Sequence, residues 1–255
     1  VSAQGFPRTC AVIVAGGAGQ RFGNPEGKQL IVIAGKPLLA WTLEAFDRAR
    51  HVDHIVVVCP PDRELHVCDE VLSEYAFETP ITFAPSGAER QDSTRNGMNA
   101  VPEGFEIIAV HDGARPLILS ETIDAALEAL VAADGGEQSD ASAGQGLSSH
   151  VLDGMVCGQP AVDTLKIVDE QGVFLETPQR SRYWAVQTPQ IFWVDALQRA
   201  YAWVEKTGFV GTDDSSLVEG AGGRVRGFEA PRDNLKVTLP EDVPPVEAVL
   251  RARMG

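Results

Sequence analysis

Two cations, Arg21 and Lys28, sit in a glycine-rich run, V-A-G-G-A-G-Q-R-F-G-N-P-E-G-K-Q-L (residues 14–30), directly behind the apolar segment 11–14. That combination suits a polyphosphate. Gly16, Gly17 and Gly19 let backbone N–H groups approach an anion closely, and the two side chains add full positive charges that amide dipoles lack. A nucleoside triphosphate is the expected ligand. Two better-known glycine loops do not fit. A Walker loop requires a hydroxyl after its lysine, whereas Lys28 is followed by Gln29. A dinucleotide fingerprint must open a helix, and Asn24-Pro25-Glu26-Gly27 interrupts one. The glycines alone would serve an ordinary surface turn equally well; the two cations are what favour an anion.

Further charges recur at equivalent places. Arg90 and Arg95 follow the apolar run 81–84 and Arg115 follows the run 107–110, so five cations fall behind strand-like segments in a chain of formal charge −15. In an open α/β sheet, ligands bind at the carboxyl edge of the strands. A basic edge on an acidic protein suits a small anionic substrate and disfavours nucleic acid or an anionic membrane as partner. In His111-Asp112-Gly113-Ala114-Arg115-Pro116, Asp112 offers a hard oxygen to a Mg²⁺–triphosphate, or else serves as a turn residue beside Gly113. His111 reads as a strand-end histidine packed under a loop rather than as a general base. In P-S-G-A-E-R-Q-D-S-T-R (residues 85–95), a glycine turn precedes Asp92 or Ser93 at a helix start. Gly87 and Ser93 would line a base or ribose pocket, or simply turn the chain and cap the helix.

The elements that must position these groups alternate. Strand-like runs at 11–14, 55–59, 81–84 and 107–110 are separated by helical patterns at 37–50, 62–75, 92–100 and 120–132, with Ser120 as a candidate N-cap. Such βαβα order predicts a single α/β domain spanning 1–255: a Rossmann-like, mainly parallel sheet with helices on both faces. Residues 134–150 are rich in Gly, Ser and Ala without periodicity and are expected to be a flexible surface loop. Residues 155–168 look extended, and 165–168 with 173–175 read as a hairpin closed by 169–172. A projecting hairpin of this kind, at about 160–182, needs something to pack against, and a second copy of the chain is one answer. Helices at 194–206, 213–219 and 241–254, and strands at 224–228 and 235–237, complete the pattern.

With 255 residues and 44% hydrophobic content, the chain can bury a substantial core. It has no run of eighteen apolar residues, and residues 1–9 lack the core of a signal peptide, so a cytoplasmic protein without a membrane span is expected. Cys10, Cys59, Cys68 and Cys157 show no C-x-x-C spacing, which favours reduced thiols over a zinc site or disulfide.

Seven segments together resemble the 2-C-methyl-D-erythritol 4-phosphate cytidylyltransferase family. They are A-G-G-A-G-Q-R-F at 15–22 with Lys28-Gln29 behind it, G-x-E-R-x-x-S at 87–93, V-H-D-G-A-R-P at 110–116, D-T-L-K at 163–166, Q-T-P-Q at 187–190 and N-L-K-V-T-x-P-E-D at 234–242. The resemblance implies transfer of a cytidylyl group from CTP to 2-C-methyl-D-erythritol 4-phosphate, with Mg²⁺ or another divalent cation as cofactor. It implies that Arg21 and Lys28 bind the triphosphate and stabilise the transition state. Ala15, Gly16, Gly87 and Ser93 would contact cytosine and ribose. Arg180 and Lys236 would grip the acceptor phosphate, with Asp112, Arg115, Thr164, Thr188 and Thr212 around the acceptor. The hairpin resembles an arm exchanged across a homodimer, so Thr164 and Arg180 would serve the partner's site. The chain departs from the family pattern at Val14-Ala15-Gly16, Ala88 and Gly113, none of which removes a charged group.

A ribitol 5-phosphate cytidylyltransferase would share the fold and the loop, although Ala114 before Arg115 leans toward methylerythritol phosphate. A sugar-nucleotide glycosyltransferase should carry a D-x-D-like pair where only Asp112 stands. A non-catalytic CTP sensor would have no use for Arg180 and Lys236.

Overall fold

β1 (Thr9–Val14) is apolar at successive positions because the sheet is covered on both faces. Cys10 and Val12 pack into one hydrophobic cluster, Ala11 and Ile13 into another. The computed structural model describes residues 5–17, 22, 27–135 and 150–255. Gly19, Arg21 and residues 136–149 of the expected loop lie outside them.

After a 3-10 turn at Lys28–Leu30, β2 (Val32–Ile33) and β3 (Lys36–Pro37) form a short antiparallel hairpin that leads into α1 (Leu38–Asp47) and β4 (His54–Cys59). The chain continues through α2 (Glu64–Val67), β5 (Ile81–Pro85), α3 (Arg90–Asn99), β6 (Ile107–Asp112), α4 (Ser120–Gly135) and β7 (Gly154–Pro160). A separate two-stranded sheet, β8 (Ile167–Val168) with β9 (Phe174–Glu176), follows, then β10 (Trp184–Trp193), α5 (Val194–Thr207), α6 (Asp214–Gly220), β11 (Val225–Glu229) and α7 (Val243–Met254).

The central sheet has seven strands in the order β11-β7-β10-β6-β1-β4-β5. β10 is antiparallel to both its neighbours and every other pairing is parallel. This is the Rossmann-like α/β architecture expected from the alternation. Leu39, Leu43 and Phe46 of α1 and Ile123, Leu127 and Leu130 of α4 cover one face. Leu197, Ala200, Tyr201 and Val204 of α5 and Leu217 and Val218 of α6 cover the other. α3 also lies close on this face because Gly97 has no Cβ: one there would fall 2.4 Å from Cγ1 of Val12. A third cluster joins Ile33 and Leu38 to Ala114, Leu117, Val237, Val246 and Leu250. It ties the β2–β3 hairpin and α7 to the loop after β6, which brings the segments of Lys28 and Lys236 to the same edge.

Four expectations change. The single helix at 62–75 is instead a 3-10 turn (Pro61–Arg63), one turn of α2 and a π turn (Cys68–Leu72). Of that stretch only Val67 and Val71 are buried, so little packing holds a regular helix there. Residues 235–237 form no strand; Val237 N–H donates to Ala114 O outside any ladder. α4 runs through Gly135, so Asp134 is helical rather than the start of a loop, and its carboxylate accepts the Val151 N–H at 2.7 Å. The extended segment after β7 breaks at Ala161 before β8 begins.

All four cysteines are free, and burial pushes Cys10 and Cys157 up to about 12. Among the described residues no helix is long and apolar enough to cross a membrane.

Candidate active site

Asp112, the last residue of β6, is the point on which three cations converge. Lys236 Nζ lies 2.8 Å and Arg115 Nε 3.2 Å from its Oδ2, while Arg90 Nε lies 3.4 Å from its Oδ1. Burial alone would raise the carboxyl, but Lys236, Arg90 and Arg115 outweigh it and hold Asp112 below the usual carboxylate range. Arg90 is shared: its Nη1 pairs with Asp214 Oδ2 at 2.7 Å, and Asp214 is fully buried at the start of α6. Arg115 Nη1 also donates to Asn234 O at 2.9 Å, anchoring the strand edge to the segment that carries Lys236.

Lys28 reaches the same neighbourhood, its Nζ donating to Val237 O at 2.9 Å, one residue beyond Lys236. On the opposite side of the edge, Ala15 N–H donates to Val58 O as β1 ends. Gly16 then passes so near the next loop that a Cβ would fall 2.3 Å from Cβ of Ser86. Gly17 is exposed. Gly87 N–H donates to Ser93 Oγ, which in turn donates to Glu89 O. The helix does not begin at Asp92 or Ser93: Glu89 is the N-cap and forms a capping box with Asp92. Ser93 thus sits inside the first turn of α3 and closes the loop. Arg95 is turned away, paired with Asp92 and Glu205.

Thr188 enters the site through an irregularity in β10. The pairing of β10 with β7 shifts register between Val186 and Gln190, and Pro189, which has no N–H to give a ladder, occupies that gap. Thr188 Oγ1 accepts the Asp112 N–H at 3.1 Å and lies 3.0 Å from His111 Nδ1, while His111 Nε2 faces Arg115 O at 3.3 Å. Asn234 Nδ2 donates to Thr188 O at 2.8 Å. These contacts fit a neutral imidazole that donates from Nε2 and accepts the threonine hydroxyl at Nδ1. Burial lowers His111 to about 3. It is the packed strand-end histidine expected from the sequence. Thr212 is exposed and precedes Asp213, the N-cap of α6, whose Oδ2 accepts from Gln190 Nε2 at 2.7 Å.

Thr164 and Arg180 stand apart from this cluster. Both are exposed on the segment between β7 and β10, where Arg180 Nη1 donates to Val162 O at 2.8 Å. Within one chain, therefore, Lys28, Asp112, Arg115, Thr188 and Lys236 gather at the sheet edge and the two arm residues do not.

In the sequence Arg90 stands out only as one cation among five, and Asp214, Gln190 and Asn234 carry no signal of a role. Gln190 and Asn234 both lie in the quoted motifs, but Asn234 satisfies the Thr188 carbonyl where β10 departs from its ladder and Gln190 accepts the Asp214 and Ser215 N–H groups at the start of α6, and no spacing signals that.

The profile of the IspD family, 2-C-methyl-D-erythritol 4-phosphate cytidylyltransferase, matches residues 9–252. The chain belongs to this family. Among curated members, the 2-C-methyl-D-erythritol 4-phosphate cytidylyltransferase of Caldanaerobacter subterraneus subsp. tengcongensis is 37% identical over 241 residues, covering 94% of this chain and 98% of its own. That of Parasynechococcus marenigrum is 39% identical over 243 residues, covering 95% and 97%. Among solved structures, the 4-diphosphocytidyl-2C-methyl-D-erythritol synthase of Anaerococcus prevotii superposes with a TM-score of 0.79 at 25% identity, covering 96% of each chain. The match to the cytidylyltransferase family begins at β1 and ends within α7, so it takes in the whole Asp112 cluster, the arm and the Lys236 segment.

Proposed function

We propose that this chain transfers the cytidylyl group of CTP to 2-C-methyl-D-erythritol 4-phosphate, releasing pyrophosphate. The observation that carries the proposal is the meeting of Lys28 with Lys236 and Arg115 at one strand edge, in a chain whose relatives bear the name of that reaction. A reaction between two phosphates needs cations for both partners, and these are drawn from three separate parts of the sequence.

The acceptor's phosphate monoester is largely dianionic at neutral pH, because its second pKa is about 6. It attacks the α-phosphorus of CTP, forming the new P–O bond while the bond from the α-phosphorus to the β-phosphate oxygen breaks and pyrophosphate departs with that electron pair. No proton needs to be removed from the nucleophile, which agrees with a His111 that is buried and stays neutral. The residues' task is positioning and charge neutralisation. Arg21 and Lys28 take the triphosphate together with the loop glycines Gly16, Gly17 and Gly19, and Ala15, Gly16, Gly87 and Ser93 take the cytosine and ribose. Lys236, Arg115, Thr188 and Thr212 take the acceptor, with Asp112 between the two.

Among the described residues no three His, Cys, Asp or Glu side chains come together as a metal cage. A divalent cation would accompany the triphosphate, and Asp112, whose oxygens face Lys236, Arg115 and Arg90, would offer it a hard oxygen ligand at the edge. When bound, such a cation neutralises and orients the phosphate oxygens.

The arm carries Val162, Ile167, Val168, Val173, Phe174 and Leu175 with 44–68% of their surface exposed. So much exposed apolar surface on a two-stranded hairpin favours a partner, and the partner proposed is a second copy of the chain, to whose site Thr164 and Arg180 are delivered.

Phosphorus NMR of a reaction with CTP, Mg²⁺ and the methylerythritol phosphate tests the proposal. Two mutually coupled diphosphate resonances beside pyrophosphate are expected. Pyrophosphate with cytidine monophosphate, which marks hydrolysis, or an unchanged acceptor resonance would contradict it.

A further inference from the structure

The first turn of α3 holds more than the loop that Ser93 closes. Gln91, in its second position, reaches across to the segment that joins α5 to α6. Its Oε1 accepts the Gly211 N–H at 3.0 Å, and its Nε2 faces Phe209 O at 3.4 Å. Its own carbonyl accepts the hydroxyl of Tyr201, a buried residue of α5, at 3.0 Å. Beside it, Arg90 holds Asp214 at the far end of the same segment. Thr212 is thereby flanked by two fixed residues: Gly211, bound by Gln91, and Asp213, bound by Gln190.

A single amide that both donates to and accepts from one loop's backbone fixes that loop's position and orientation together. Its location in the helix that closes the nucleotide side joins the two halves of the site. We infer that Gln91 is a positioning residue: its carboxamide sets the loop that presents Thr212 to the acceptor relative to the helix that borders the cytidine side. The inference rests on the reading of the site given above.

The test compares Gln91→Leu, which keeps bulk but loses both hydrogen bonds, with Gln91→Glu, which keeps the acceptor for Gly211. The leucine variant is expected to raise the acceptor KM about fivefold, the factor that one net hydrogen bond of ordinary strength represents. Its KM for CTP and its kcat should stay unchanged, and the glutamate variant should recover part of the loss. Equal rises in both KM values, or no change in either, would overturn the assignment. Hydrogen exchange separates this outcome from failure of the reaction itself. If the unaltered chain ignores methylerythritol phosphate, faster exchange in Gln91→Leu confined to residues 208–213, with residues 86–93 unaffected, still upholds the clasp. Unchanged exchange at 208–213 removes it.

Discussion

Lys236 and Arg115 end on the same oxygen of Asp112, so their mutual repulsion is balanced by a carboxylate rather than by solvent. Under the proposed reading, the acceptor phosphate meets cations that are already aimed. Lys236 is the more exposed of the two and is the group that can turn from Asp112 to a ligand. Lys236→Ala should raise the acceptor KM by roughly ten- to a hundredfold, as loss of a hydrogen bond to a charged group implies. Initial rates with each substrate varied in turn check this; a rise confined to CTP would contradict the role. His111 gives a second prediction. Burial holds it near 3, below its unfolded value of about 6.5. Between those values the unfolded chain takes up a proton that the folded chain refuses. The stability contributed by this group is therefore complete above about pH 6.5 and lost progressively as pH falls toward 3, at no more than about 1.4 kcal/mol per pH unit. Urea denaturation across that range should show the slope, and His111→Asn, which keeps an acceptor for Thr188, should flatten it. An equal slope in the variant would place the acid sensitivity elsewhere.

At the scale of elements, the sequence was most readable where a strand is buried on both faces. The runs behind β1, β4 and β6 are apolar at successive positions and stand out between amphipathic helices. β10 did not stand out, because Pro189 argues against a central strand until its place in the register shift with β7 is known. The same break brings Thr188 to Asp112 and His111, so the feature that hid the strand is the one that places a proposed acceptor residue. Arg90 and Asp214 show the other limit: they are 124 residues apart, and nothing in either neighbourhood marks them as partners. The arm was legible as a hairpin, and its exposed Phe174 and Leu175 are the surface that the proposed second copy would cover. If the arm serves a neighbouring site, mixing Arg180→Ala chains with Lys28→Ala chains should restore part of the activity that each has lost, since one site in the mixed dimer would be intact. Verified mixed dimers without restored activity would place all the groups of a site within one chain.

For the molecule as a whole, a net charge of −15 coexists with a strand edge at which Lys28, Arg90, Arg115 and Lys236 meet. The composition argues against a phosphate polymer as partner, and the placement of Lys28 and Arg115 behind strands already pointed to the edge where they and Lys236 meet. Which acceptor the edge serves was legible only through family resemblance, because cations that grip a phosphate do not report the polyol attached to it. The most direct measurement is pyrophosphate release with CTP and Mg²⁺, comparing kcat/KM for 2-C-methyl-D-erythritol 4-phosphate with that for D-ribitol 5-phosphate. Robust release with the first and a far lower value with the second are expected. Preference for ribitol phosphate, or silence with both acceptors while CTP still binds, would contradict the proposed function.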